Sequence, residues 1–316
     1  MRRRTMLAAA TAALAMPGAS MAQAGQVRMG VSIPSATHGW AAGLNWHAQQ
    51  AQKRLQAKYP NLEVVLVAAR DAASQANDLE DLVSVRRING LVVLPFESAP
   101  LTDPVRQVKA AGVFITVVDR GLTDPAIQDA YVAGDNVRFG DVAGQYFRRR
   151  FPNGGQIVVL RGIPTVIDTQ RVEAFQKAIA GSGIKVLAMQ FANWNRDDGF
   201  RVMQDFLQRF PKIDAVWAQD DDIAIGVIEA VRAAKREDAM FIVGGAGMKE
   251  MVHRVMDGDR LVPADVTYPP GMIEQAMDLT AAHLVEKAPI PLQTIIEAVL
   301  VTPENAKAHY FPDSPF

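Results

Sequence analysis

Short apolar runs rich in β-branched residues alternate with longer amphipathic stretches along most of the chain, the pattern of parallel sheets covered by helices. Val27 to Ile33 predicts a first strand, stopped by Pro34, and the polar and aromatic loop Ser35-Ala36-Thr37-His38-Gly39-Trp40 leads into a helix from about Ala41 to Lys58. Glu63 to Ala68 predicts a second strand, followed by a helix from about Ser74 to Arg87 with Ser74 as its cap. Leu91 to Leu94 predicts a third strand. The next helix is expected to start at Asp103-Pro104, where a proline in the first turn sacrifices no hydrogen bond.

Phe114 to Val118 predicts a fourth strand and runs out into Asp119-Arg120-Gly121. In open α/β sheets the carboxyl ends of the strands face the ligand crevice, so this acid and base are candidate binding groups by position alone. The alternation then repeats. Strands are predicted at Tyr131 to Ala133, Gln156 to Leu160, Lys185 to Phe191, Ala215 to Ala218 and Phe241 to Val243, with helices after Asp135-Asn136, around Arg171 and from Asp220-Asp221-Asp222. Their ends carry further polar groups at Trp194-Asn195, Asp220 and Gly244-Gly245-Ala246-Gly247.

The fold class is therefore α/β, two doubly wound parallel-sheet lobes, and 316 residues accommodate two such lobes. Crossings between them are expected near Gly134, near Thr267-Tyr268-Pro269-Pro270 and near Thr294 to Val301. These place residues 25–134 and 269–293 in an N-terminal lobe and residues 135–268 and 294–316 in a C-terminal lobe. The polar, proline-containing stretch after Pro303 reads as a surface extension.

The first 24 residues stand outside this pattern. Arg2-Arg3-Arg4, an Ala-rich apolar stretch and Ala22-Gln23-Ala24 read as a cleavable export signal, with Arg3 to Leu7 similar to a twin-arginine leader. Loss of its three arginines moves the net charge from −1 to −4, which argues against a nucleic-acid partner. With no cysteine, disulfides and thiolate metal sites are excluded. A soluble, monomeric periplasmic protein is expected.

The candidate chemistry is that of binding. No Gly-rich dinucleotide fingerprint follows the first strand, no phosphate-cradling loop is present and no Gly-x-Ser-x-Gly elbow exists. The five histidines lack metal-ligand spacing, and no cofactor is expected. Asp220-Asp221-Asp222 could ligate a hard cation, but acids at a helix start more simply cap free N–H groups and favour the helix dipole. Trp217 within its strand reads as core, and Trp46 and His47 as packing or surface groups. By periodicity alone Arg171 is a solvated helix residue.

Val118-Asp119-Arg120, Gly134-Asp135-Asn136, Arg171-Val172-Glu173-Ala174-Phe175, Trp194-Asn195-Arg196 and Ala218-Gln219-Asp220-Asp221 together resemble the periplasmic sugar-binding proteins of the ribose-binding class, substrate-binding components of ABC transporters. The resemblance spans Val27 to Val301 and implies lobes that close about a three-strand hinge on a monosaccharide or polyol for delivery to a membrane permease. It implies that Asp119, Arg120 and Arg171 hold hydroxyls, that Asn136 is a pocket-lining amide, and that Trp40 and Trp194 sandwich the sugar ring. The chain departs from that pattern at His38 in place of Asn, Tyr268 in place of Gln, Asp220 in place of Asn, Ala246 in place of Asp and Ala41 in place of an aromatic. A pocket reshaped for another monosaccharide or an open-chain polyol is implied, with His38, Asp220 and Tyr268 among its ligand contacts. A sugar acid facing Arg120 and Arg171 stays open, as do a periplasmic sensor of a chemoreceptor or kinase and, more distantly, a sugar-modifying enzyme.

Overall fold

The computed structural model describes residues 25–316, so the expected leader lies outside the described residues. The chain opens with β1 (Val27–Pro34), α1 (Gly39–Lys58), β2 (Leu62–Ala69), α2 (Ala72–Ser84), β3 (Gly90–Val93), α3 (Ser98–Ala110), β4 (Phe114–Val118) and β5 (Ala130–Gly134). It continues through α4 (Asn136–Arg150), β6 (Gly155–Arg161), α5 (Val166–Ile179), β7 (Ile184–Phe191), α6 (Arg196–Arg209), β8 (Ala215–Ala218), α7 (Asp221–Ala233), β9 (Phe241–Val243) and α8 (Lys249–Met256). It ends with β10 (Asp265–Val266), α9 (Met272–Glu286), β11 (Gln293–Ile296), β12 (Leu300–Val301) and α10 (Ala306–His309).

Two parallel sheets result. The first has the order β11-β5-β4-β3-β1-β2 and the second β7-β6-β8-β9. Helices cover both faces of each sheet, so central strands bury side chains on both sides; every residue of β3, β8 and β9 is buried. That is why they read in the sequence as unbroken apolar runs rather than as alternating ones.

Local chemistry moves several boundaries. Asp71, not Ser74, caps α2: its Oδ1 accepts from Ser74 N at 2.7 Å, while Ser74 Oγ accepts from Asp71 N at 3.1 Å. Ser74 is the second half of a reciprocal cap. Helix α3 begins at Ser98 rather than Asp103, because Pro100 fills the first turn, where no N–H is needed, and leaves Pro104 inside the helix. Thr102 Oγ1 donates to the Ser98 carbonyl at 2.7 Å in that same turn.

The chain passes three times between the sheets, and the crossings are bonded side by side. Asp135 N donates to Ile296 O at 2.8 Å, Thr267 N to Val299 O at 2.9 Å and Val299 N to Thr267 Oγ1 at 2.9 Å, beside the antiparallel pair β10 and β12. The lobe boundary expected after residue 293 cuts through β11, whose residues Gln293 to Ile296 pair in register with Tyr131 to Gly134. The third crossing therefore starts after Ile296. The stretch after Pro303 runs over the surface and is anchored at its end: Lys249 Nζ donates to Pro312 O and Ser314 O, and Phe316 is buried beside Gly43.

A ligand cleft between two sheets

The carboxyl ends of both sheets face one another, and the loops leaving them meet in one narrow cleft. At the end of β4 the backbone of Asp119 turns left-handed, φ 59°, and Tyr131 donates its hydroxyl to the Asp119 carbonyl at 2.6 Å. Asp119 is 1% exposed, and its Oδ1 accepts from the Tyr268 hydroxyl at 2.5 Å. Arg120 donates through Nη1 to the Phe96 carbonyl and at 3.5 Å to that of Pro95. Its buried Nε has no partner, since Asp119 Oδ2 stands 3.9 Å away, beyond hydrogen-bond reach. Burial draws Arg120 below its ordinary pKa, against the pull of Asp119.

Arg171 comes from α5 on the opposite side and is equally buried. Its Nε donates to Asn136 Oδ1 at 2.8 Å and Nη1 to Gln219 O at 3.1 Å, while its guanidinium lies 4.2 Å from the Phe139 ring centre and 4.4 Å from that of Tyr268. Asn136 Nδ2 donates to the Tyr268 hydroxyl at 3.2 Å and to Gly134 O at 3.3 Å. Both ends of this amide are thus engaged by the protein, and Asn136 orients Arg171 and Tyr268 from behind instead of lining the cleft as expected.

Asp220 caps α7, accepting from Asp222 N at 2.9 Å and Ile223 N at 3.4 Å. Burial, with Asp222 and Asp221 nearby, raises its pKa well above the usual carboxylate range. Asp221 accepts from Gly245 N at 2.8 Å and Met248 N at 2.7 Å, fixing the loop that carries Ala246, and burial pushes it up to about 6. Asp265 on β10 is driven well above its ordinary value by burial and then by Asp221. Among the described residues no group of three or more His, Cys, Asp or Glu is placed to hold a metal.

Four aromatic rings wall the cleft, those of His38, Trp40, Trp194 and Tyr268. The His38 imidazole lies between Trp40 and Trp194, with ring centres 6.4 and 6.2 Å apart and planes inclined by 14° and 24°. Histidine thus stands in the slot between the two indoles. Its pKa is lowered to about 4 by burial, opposed by Asp222 and assisted by Arg120, so the ring is neutral at pH 7. Trp40 Nε1 is taken by the Tyr268 carbonyl at 2.8 Å, and the Arg120 guanidinium faces Trp194 across the gap at 5.2 Å.

Of the nine residues singled out in the sequence, eight border this gap: His38, Trp40, Asp119, Arg120, Arg171, Trp194, Asp220 and Tyr268, joined by Ile167 and Ala246. The inner space is about 20 Å³, and an outer compartment of about 160 Å³ shares His38, Trp40, Arg120 and Trp194 with it. Sequence reasoning missed Ile167 and Phe139 beneath Arg171, and read Asp222 only as an acid at a helix start, whereas its Oδ2 accepts from Gly39 N at 2.6 Å across the cleft. Four non-glycine residues with positive φ crowd the strand ends here: Asp119, Asn193 (54°), Trp194 (51°) and Ala246 (127°). Such conformations cost on the order of 1–3 kcal/mol each and gather at functional sites.

A family model described as a periplasmic binding protein domain matches residues 29–288. The chain belongs to the periplasmic binding protein family. This binding protein is 29% identical over 248 residues to the ribose import binding protein of Bacillus subtilis (strain 168), spanning 76% of this chain and 79% of that one. It is 33% identical over 209 residues to the ribose import binding protein of Escherichia coli (strain K12), spanning 66% and 69%. Among solved structures, an ABC transporter solute-binding protein from Mycobacterium smegmatis with bound glycerol is similar at TM-score 0.82 and 27% identity, over 92% of this chain and 99% of that one. The family consists of substrate-binding proteins, and among the described residues no helix is long and apolar enough to cross a membrane.

Proposed function

We propose that this protein captures a monosaccharide or polyol between its lobes and presents it to the permease of an ABC importer, without altering it chemically. The observation that carries this reading is the convergence of Asp119 and Arg120 from one sheet with Arg171 and Asp220 from the other, around a single gap walled by aromatic rings. Carboxylate and guanidinium groups satisfy the two sides of a hydroxyl, accepting its proton and donating to its oxygen, while indole faces cover C–H surface. A micromolar ligand corresponds to about −8 kcal/mol. A few charge-assisted hydrogen bonds at roughly 1.5–3 kcal/mol each reach that figure after ordering costs. The import role of the ribose-binding relatives supports the same reading. Export by cleavage after Ala24 and a monomeric state belong to the proposal; N-terminal sequencing of the secreted protein and sedimentation test them.

A thermal-shift screen of the mature protein against pentoses, hexoses, sugar acids and polyols tests the function, because a ligand of the folded state alone raises the melting temperature by mass action. At least one sugar or polyol should give a saturable shift. Asp119→Ala and Arg171→Ala should each weaken binding of that ligand tenfold or more. A folded protein that responds to no member of the panel would end this reading.

A further inference from the structure

We propose that the outer compartment is a second subsite, which takes an apolar substituent of the ligand, so that the preferred cargo is a deoxy, alkyl or aryl derivative of a sugar or polyol; this rests on the polyhydroxylated ligand proposed above. The two spaces differ in chemistry. Asp119, Arg171, Asp220 and Tyr268 all line the inner gap, and none of them lines the outer compartment. That compartment is walled instead by Pro34, Ala41, Leu44, Leu94, Phe96 and Ile163, of which Ala41, Leu44 and Leu94 are buried.

The hydrogen-bonding groups of this wall are already spent on protein. Asn45 Nδ2 donates to the carbonyls of Pro34 and Ala41 at 2.9 and 2.8 Å, Gln75 Nε2 to that of Leu94 at 2.9 Å and Arg120 Nη1 to that of Phe96. Polar side chains stand only at its borders. Thr37 and Asn193 are exposed, Thr37 Oγ1 being bonded to His38 Nδ1 at 3.1 Å and Asn193 Nδ2 donating to Asp198 Oδ2 at 2.8 Å. His38 and Arg120 belong to the wall shared with the inner gap. A hydroxyl pushed between Leu44, Leu94 and Ile163 would give up water for almost no partner, whereas a methyl, alkyl or phenyl group gains by leaving water.

The space suffices for such a group. It measures about 160 Å³, and a dry cavity of roughly 150 Å³ lined by aliphatic and aromatic side chains holds benzene. Because His38, Trp40, Arg120 and Trp194 border both spaces, one ligand reaches from one into the other, its hydroxyls on the charged groups of the gap and its apolar arm in the compartment. Ala41 keeps this room open, since a ring at that position would fill it.

The test is calorimetric titration with matched probes: galactose with fucose, mannose with rhamnose, glucose and ribose with their methyl and phenyl glycosides, and glycerol with its phenyl ether. In wild type the substituted member of at least one set should bind about tenfold more tightly than its parent, the gain that a single methyl reaches in an apolar pocket. Ala41→Phe should cut that advantage at least fivefold while holding the parent's affinity within about threefold. Ile163→Asn, which places an amide in the wall, should cut it as well. Parents that bind as tightly as their derivatives in every set would overturn the subsite and leave the receptor function standing. Loss of parent binding by folded Ala41→Phe would put the sugar itself in the compartment and overturn the subsite too, as would an advantage unchanged in both folded variants. No binding of any probe by folded wild type would instead remove the function on which the subsite rests. If Ala41→Phe does not fold, the wild-type sets and Ile163→Asn decide.

Discussion

Asp119 shows what a single residue is asked to do here: its backbone turns the chain at φ 59°, one oxygen receives Tyr268 and the other faces the gap. Titration separates two other residues of the molecule by sign. His38, lowered from 6.5 to about 4, binds fewer protons folded than unfolded, so it adds stability that is complete above pH 6.5 and lost as pH falls toward 4. His38→Gln should flatten the acid side of the stability curve across that window, and an unchanged slope in urea titrations at pH 4 to 7 would contradict the desolvated imidazole. Asp265 acts in the opposite direction. Its raised pKa means that stability falls as pH climbs above the unfolded value of 3.8. Asp265→Asn should therefore raise the melting temperature at pH 7 by several degrees and have little effect near pH 4, as calorimetry at the two pH values would register.

Between elements, the decisive junction is that of α1 with α7. The first N–H of α1, Gly39, donates to Asp222 near the start of α7, a carboxylate placed against the positive end of a helix dipole. The same carboxylate lies 3.4 Å from Arg196 Nη2 on α6. This bond spans the cleft without entering the ligand space, so it belongs to the approach of the two lobes. Asp222→Ala should lower ligand affinity about tenfold, the lower end for a single charge-assisted hydrogen bond. It should also increase the radius of gyration of the ligand-free protein in small-angle scattering. Unchanged values of both would assign Asp222 to local capping alone. Local pattern could not reveal this pair, because the partners lie 183 residues apart.

Across the whole molecule, what could be read from the chain was whatever local physics encodes. Buried parallel strands advertise themselves as apolar runs, so β4 and the acid and base beyond it were legible, as was Trp217, which is fully buried and stacks on Phe175 at 4.1 Å. Arg171 was legible only through resemblance, since its helix face gives no sign that Asn136 and Gln219 will bind it. The start of α3 was misread because two prolines competed for one role. The seating of Phe316 on Gly43 was missed because a polar segment gives no sign of a single buried ring.

The strained backbone at the strand ends bears on how this protein would respond to selection for heat resistance. Glycine in place of Ala246 relieves a torsion of 127°, and a stabilisation on the order of 1 kcal/mol is expected, visible as a higher denaturation midpoint. Asn193 offers less, because asparagine tolerates φ near 54° and its Nδ2 donates to Asp198 Oδ2 at 2.8 Å. Yet Ala246 borders the inner cleft and Asn193 the outer compartment, so the easiest routes to a hardier protein run through its recognition surface. A lineage evolved for thermostability alone should accumulate changes there first and drift in what it captures, whereas one kept under nutrient selection should retain the tension and gain its robustness from distant helices.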